Sequence, residues 1–140
     1  MTISAITILD EAKAWDLLAG QQLGRLVVAA DDRVDIFPVN YVVDGETIVF
    51  RTADGAKLAG LTRQTQVTFE IDWWNEQSGY SVVARGSAGV IDEPAAIRRA
   101  EALPLKPWIP TVKTHFVRIT VDQISARSFR FGAEPAVDKA

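Results

Sequence analysis

The stretch from Ile36 to Asp72, IFPVNYVVDGETIVFRTADGAKLAGLTRQTQVTFEID, constrains the fold more than any other part of the chain. A β-rich run with a proline inside it reaches Asp44-Gly45, a strong type I′ turn signal, and a second run returns antiparallel from Thr47 to Arg51. Asp54-Gly55 breaks that strand. Ala56, Leu58, Ala59 and Leu61 then recur at helical spacing and predict a short helix through Arg63. From Gln66 to Asp72 the pattern alternates, with Val67, Phe69 and Ile71 on one side and Gln66, Thr68 and Glu70 on the other. Pro38 has no N–H to give a neighbouring strand. It therefore demands an edge, a bulge, or an opening where a ligand takes the place of a strand.

The flanking sequence extends the same scheme. Thr2 to Leu9 reads as a short edge strand or an extended arm. Asp10 is a good N-cap for a helix from Glu11 to Ala19, with Trp15 and Leu18 on its apolar face and Gly20 as its stop. Leu23 to Ala30 and Val34 to Val43 form a hairpin about the polar turn Asp31-Asp32. Trp73 to Gly79 reads as a polar loop with two large aromatics, followed by a long strand from Tyr80 to Ile91. Asp92 caps a helix over Ala95 to Leu103, with Pro94 near its start. A proline-punctuated loop from Leu103 to Thr111 carries Trp108. Two last strands are predicted, Thr114 to Val121 and Ser125 to Phe131. Six or seven mostly antiparallel strands with few helices are best closed as a small barrel, which removes the sheet edges.

The 140 residues fit one domain, 1–140, with an N-terminal arm over 1–8 and a weakly ordered tail over 132–140. Net charge is -3, which argues against a nucleic-acid binder working through bulk electrostatics. There are no cysteines, so thiolate chemistry, disulfides and cysteine-ligated metals are excluded. One histidine, His115, excludes a multi-histidine metal site within one chain. No apolar run reaches the roughly 20 residues of a membrane helix, and the N-terminus lacks the basic start of a signal peptide. The expectation is a soluble cytoplasmic protein with neither a nucleic-acid nor a membrane partner.

Arg51, Thr52 and Lys57 sit around a strand end and a helix start. Arg51 can grip two anion oxygens, Lys57 adds a point charge and Thr52 a hydroxyl, while a helix start offers free N–H groups. Equally, these residues suit a solvated strand end and an exposed first helical turn. Pro38, Val39 and Asn40 form an interrupted strand whose backbone groups suit the edge of a flat heteroaromatic ring, or else a plain edge strand with one buried amide. Trp108 reads either as a plug over a barrel end or as a cover over a ligand or a dimer contact. Arg85 stands in an otherwise apolar or small strand, where it either pairs outward with a carboxylate or meets an anion. Arg98 and Arg99 read as solvated helix residues. No acid–base or nucleophile–base pair announces itself, so any enzymatic chemistry has to come from a cofactor.

A helix ending in LLAGQQLGRLVV, then FPVNYVVDGETIVFRTADGAKLAGLTRQTQVTFEID, GYSVVARGSAGVI and FVRITVDQISARSF make up a pattern over about Leu9 to Phe131. It resembles the pyridoxamine 5′-phosphate oxidase-like family of flavin-binding split barrels, and most of all its short, nitroimidazole-resistance-like branch. The resemblance implies a mainly β fold, a six-stranded antiparallel split barrel, and a homodimer with FMN sites at the subunit interface. It implies that Pro38, Val39 and Asn40 line the flavin ring and that Arg51, Thr52 and Lys57 hold its phosphate. Trp108 and the Trp73–Trp74 segment would contact the cofactor or the partner. The implied activity is FMN-dependent oxidation or reduction of a small molecule. The deazaflavin F420 is the alternative cofactor, with Arg63 and Arg85 as added cations, and a flavin- or ligand-binding dimer without turnover is the alternative role. Vitamin B6 oxidation is not implied, because the arginine and histidine set of the true oxidase has no counterpart after SARSFRFGAEP.

Overall fold

The computed structural model describes residues 4–63 and 65–136. In chain order the elements are β1 (Ile6–Leu9), α1 (Glu11–Ala19), β2 (Leu23–Ala30), β3 (Arg33–Asp44), β4 (Thr47–Thr52), α2 (Ala56–Arg63), β5 (Gln66–Trp74), β6 (Ser78–Ile91), α3 (Pro94–Glu101) and β7 (His115–Arg130). The sheet runs β1-β7-β4-β3-β2-β5-β6, and β6 pairs back onto β7. Six antiparallel strands therefore close in a ring, as expected, and β1 lies outside it as the edge strand that the N-terminal alternation allowed. It pairs with the far half of β7, from Ile6↔Phe129 to Leu9↔Ala126, beyond the half that β4 uses. Residues 1–3 of the expected arm and 137–140 of the expected tail lie outside the described residues.

The barrel is split because β3 changes neighbours along its length. Its first part pairs only with β2, from Ala30↔Arg33 to Leu23↔Asn40. Its last part pairs with β4, from Tyr41↔Phe50 to Asp44↔Thr47. The first part is therefore an edge, and Pro38 lies on it, which is where a residue without an N–H is tolerated. Alternation sends Phe37, Val39 and Tyr41 inward and leaves Val34, Ile36 and Pro38 exposed.

The interior is filled by Leu26, Val28, Val39, Tyr41, Ile48, Phe50, Phe69, Ile71, Val82, Val117 and Ile119, with Ala14 and Leu18 of α1 and Leu61 of α2 packed among them. Asp10 caps α1 as its residue type predicts, its carboxylate accepting from the Lys13 N–H at 2.8 Å. The Tyr41 hydroxyl donates to the Leu18 carbonyl in the last turn of that helix, and its ring meets Phe69 edge-on at 4.9 Å. Gly24 lies so close beneath Phe69 that a Cβ there would sit 2.3 Å from the ring. A second, outer cluster holds α3 on the barrel wall, with Ala100 against Val49 and Phe116 and with Val42, Ile91, Ile97, Leu103 and Leu105 around them.

Four local expectations are corrected. The two last strands are one, β7, which carries a bulge: Arg85 faces Gln123 while Gly86 faces Val121, so Asp122 is the extra residue. Trp73 and Trp74 are not in a loop; they finish β5, paired with Tyr80 and Gly79, and the connection shrinks to residues 75–77. The β3–β4 loop is Gly45-Glu46 rather than Asp44-Gly45, since Asp44 pairs with Thr47. Gly45 has φ 62 and Glu46 is not left-handed, the II′ pattern; the I′ pattern belongs instead to Asp31 and Asp32, at φ 55 and 59. Finally, α3 is capped by Glu93, not Asp92, without a side-chain hydrogen bond, and it ends at Glu101 rather than Leu103.

Candidate functional site

Strand alternation at the end of β4 divides the expected cradle between two faces. Phe50 and Thr52 point into the barrel, whereas Val49 and Arg51 point outward toward α3. Thr52 is buried and its hydroxyl donates to the Ala53 carbonyl at 3.1 Å, so it fixes the turn into α2. Arg51 lies over the ring of Phe116, its cross-strand partner, at 4.8 Å. One guanidinium nitrogen, Nη2, donates to the Lys113 carbonyl at 2.7 Å. Its Nε is buried and has no hydrogen-bond partner. The side chain borders a cleft of about 340 Å³ with Ile97, Leu103, Leu105, Thr114 and Phe116 on its walls.

Lys57 occupies the first turn of α2, and its ammonium lies 5.7 Å from the centre of the Phe37 ring, on the free part of β3. Burial holds its pKa below the ordinary 10.5, and the Lys113 ammonium pushes it down further. Lys113 folds its own loop, donating from Nζ to the Ile109 carbonyl at 2.8 Å and to the Thr111 hydroxyl at 2.6 Å. Among the described residues, no ion pair joins Lys57, Lys113 or Arg51 to a carboxylate. The nearby acid, Asp54, is taken by His115, whose Nε2 lies 2.8 Å from its Oδ1.

Lys113 is the residue that the sequence reading missed. Its signal lies in register, not in spacing. Once β7 pairs with β4 so that His115 faces Thr52, the two residues before His115 must lie beside the turn that leads to Lys57.

Asn40 and Trp108 come together. The Trp108 backbone N–H donates to Asn40 Oδ1 at 2.8 Å, and Asn40 Nδ2 donates to the Gln22 carbonyl at 3.2 Å. The amide thus ties the 102–114 loop to the outside of β3, while the indole of Trp108 stays 60% exposed. Pro38 is exposed on the free edge, but the Val39 side chain belongs to the core, and its backbone groups face Gly24 of β2. Trp73 and Trp74 do not join this group. Trp73 stacks on Tyr80 at 5.7 Å near the C-terminal end of β7, whereas Arg51 lies at its start. Arg85 is exposed, and among the described residues it makes no ion pair, so the expected carboxylate partner is not found. The side chain of Arg63 lies outside the described residues.

Two ammoniums and a guanidinium that no carboxylate pairs among the described residues, one of them with a buried unsatisfied N–H, suit a phosphate better than they suit water, with Glu101 on the wall of the same cleft as Arg51 and Asp54 held by His115. A buried donor left unpaired costs about 1–3 kcal/mol, and like charges at close range add to that. An anion carrying several acceptor oxygens relieves both.

The chain is similar to known proteins over most of its length. The profile of the pyridoxamine 5′-phosphate oxidase family matches residues 10–128. An uncharacterized protein of Mycobacterium tuberculosis is 44% identical over 94 residues, which span 67% of this chain and 86% of that one. A crystal structure from Corynebacterium glutamicum, provisionally named a pyridoxamine 5′-phosphate oxidase, is 40% identical with a TM-score of 0.87 and covers 96% of this chain and 100% of its own. The FAD binding protein of Mycobacterium smegmatis is likewise 40% identical, with a TM-score of 0.79, covering 89% of this chain and 99% of its own.

Proposed function

The chain belongs to the pyridoxamine 5′-phosphate oxidase family, and from that premise we propose that it is a flavin-binding oxidoreductase acting on a small molecule. The observation that carries the proposal is the buried, unpartnered Nε of Arg51 beside ammoniums that no carboxylate answers among the described residues. In this reading Arg51 and Lys57 hold the flavin phosphate. The Pro38–Asn40 edge offers backbone groups to the ring, Thr52 keeps the strand-to-helix turn in place, and Trp108 covers the site from the loop that Asn40 anchors. A bound flavin supplies the exchange of a hydride or electrons; the chain's own part is to bind it, orient it and shield it from water.

FMN is the cofactor proposed. FAD is the second reading, favoured by the name of the Mycobacterium smegmatis relative. The protein also works as a homodimer in this proposal. Val34 and Ile36 on the free part of β3, and Trp108, Ile109 and Val112 on the adjoining loop, are large and exposed in the single chain.

The test is to purify the protein, record its visible spectrum, and titrate it with FMN, FAD and F420. FMN binding with an affinity that falls at least roughly tenfold (about 1.4 kcal/mol) in Arg51→Ala supports the reading. Preference for F420 would replace the cofactor. A flavin that binds but is never reduced by nicotinamide donors would leave a binding module without turnover. Binding of no flavin at all would overturn the proposal.

A further inference from the structure

We propose that Lys113 is the hub of the anion site: it joins Arg51 to Lys57 and turns its ammonium from its own loop onto the bound phosphate. The proposal rests on the flavin-phosphate reading above, which gives Lys113 no contact with the phosphate.

Three observations converge on Lys113. Its carbonyl receives Arg51 Nη2 at 2.7 Å, so the same residue sets the position of the guanidinium whose Nε lacks a partner. Its ammonium stands close enough to Lys57 to repel that charge, which is otherwise linked to Arg51 by no hydrogen bond. Its Nζ acceptors are a carbonyl and a hydroxyl of its own loop, at Ile109 and Thr111, and none is a carboxylate. Neutral acceptors hold an ammonium less strongly than an anion does, so a phosphate arriving between Lys113 and Lys57 competes well for it.

The exchange has a structural consequence. The bonds that Lys113 gives up tie its side chain to residues 109–111, beside a backbone bond from the Thr111 N–H to the Ile109 carbonyl, and the same loop is pinned at Trp108 by Asn40. Occupancy of the anion site thereby alters the segment that carries the exposed indole.

The experiment compares the parent with Lys113→Ala and Lys113→Arg, using FMN, riboflavin and inorganic pyrophosphate as separate probes. Expected are a loss of about tenfold or more in affinity for FMN and for pyrophosphate in Lys113→Ala, unchanged riboflavin affinity, and recovery of most of the loss in Lys113→Arg. Titration of 13C-labelled lysine by NMR supplies a second readout. In the absence of ligand, the Lys57 pKa rises in Lys113→Ala because a repelling charge is gone, a change that a merely structural role would not produce. Parent-like FMN and pyrophosphate binding in Lys113→Ala, or an unmoved Lys57 pKa, overturns the proposal. Should the parent bind pyrophosphate but no flavin, and Lys113→Ala lose it, the flavin reading fails while the role of Lys113 stands. Should the parent bind neither, both fall.

Discussion

At the scale of the residue, the proposed anion site sets binding against stability. Lys57 is charged against its surroundings, since burial and Lys113 both lower its pKa from the ordinary 10.5. Between its folded value and 10.5 the unfolded chain therefore binds more protons, and stability rises with pH across that window. Lys57→Met keeps the aliphatic stem against Phe37 and removes the charge. Without ligand it should melt higher than the parent at neutral pH, lose that pH slope, and bind FMN more weakly, as calorimetry from pH 7 to 10 and a flavin titration would show. A parent-like melting profile would mean that the charge is not strained. Gly86 makes the opposite case, where structure alone decides. A Cβ there would lie 2.1 Å from the Thr120 carbonyl oxygen at the bulge, so Gly86→Ala should cost about 1–3 kcal/mol in chemical denaturation with no selective effect on flavin binding. Arg51 and Lys57 stand out in the sequence as candidates because their types and spacing suit an anion. Lys113 was not, because it reaches them only through pairing between strands 63 residues apart at Thr52↔His115. Val39 and Thr52 were read together with their neighbours, although strand alternation gives each of them to the interior.

The elements repeat this lesson. The boundaries of α1 and β2 were readable because a cap, a stop and an unbroken alternation agree. β7 was read as two strands because its phase slips. Val117 and Ile119 face inward at odd positions, Ile124 and Ala126 at even ones, and the bulge at Asp122 absorbs the difference. Periodicity alone takes such a slip for a break, whereas hydrogen bonding to β6 continues across it. The β3–β4 turn is misassigned from sequence for a similar reason, whereas the hairpin about Asp31-Asp32 forms as expected. Asp44-Gly45 is the commoner I′ pair, but register moves the loop on by one residue, and Asp31-Asp32 takes the left-handed conformation without a glycine. That hairpin holds unrelieved strain at Asp32, so Asp32→Gly should stabilise the protein by about 0.5–1 kcal/mol in urea denaturation, and a loss of stability would mean that the Asp32 side chain makes up for its φ.

For the whole molecule, closure of β6 on β7 leaves a ring whose weak place is the stretch where β3 passes from β2 to β4. The fold class was legible from strand count and turn signals, and the resemblance supplied the topology that periodicity could not. The proposed dimer would form where the ring is weak. If Val34, Ile36 and Trp108 are covered by a second copy, Ile36→Lys should weaken the dimer by at least roughly tenfold and weaken flavin binding with it, while the monomer keeps its fold. Light scattering after gel filtration checks the first point. A parent protein that is monomeric at micromolar concentration would remove the dimer from the proposal. Among the described residues no helix is long and apolar enough to cross a membrane.

The unpaired first part of β3 has a cost of its own. Half a strand with open hydrogen-bonding groups and two bare aliphatic side chains is a template on which foreign chains can polymerise. Pro38 interrupts the row of donors, and Arg33 and Asp35 put opposite charges, 3.3 Å apart, near its tip. The proline that first signalled an opening is also a guard on it: it denies the free edge to the extended chains that would start a fibre.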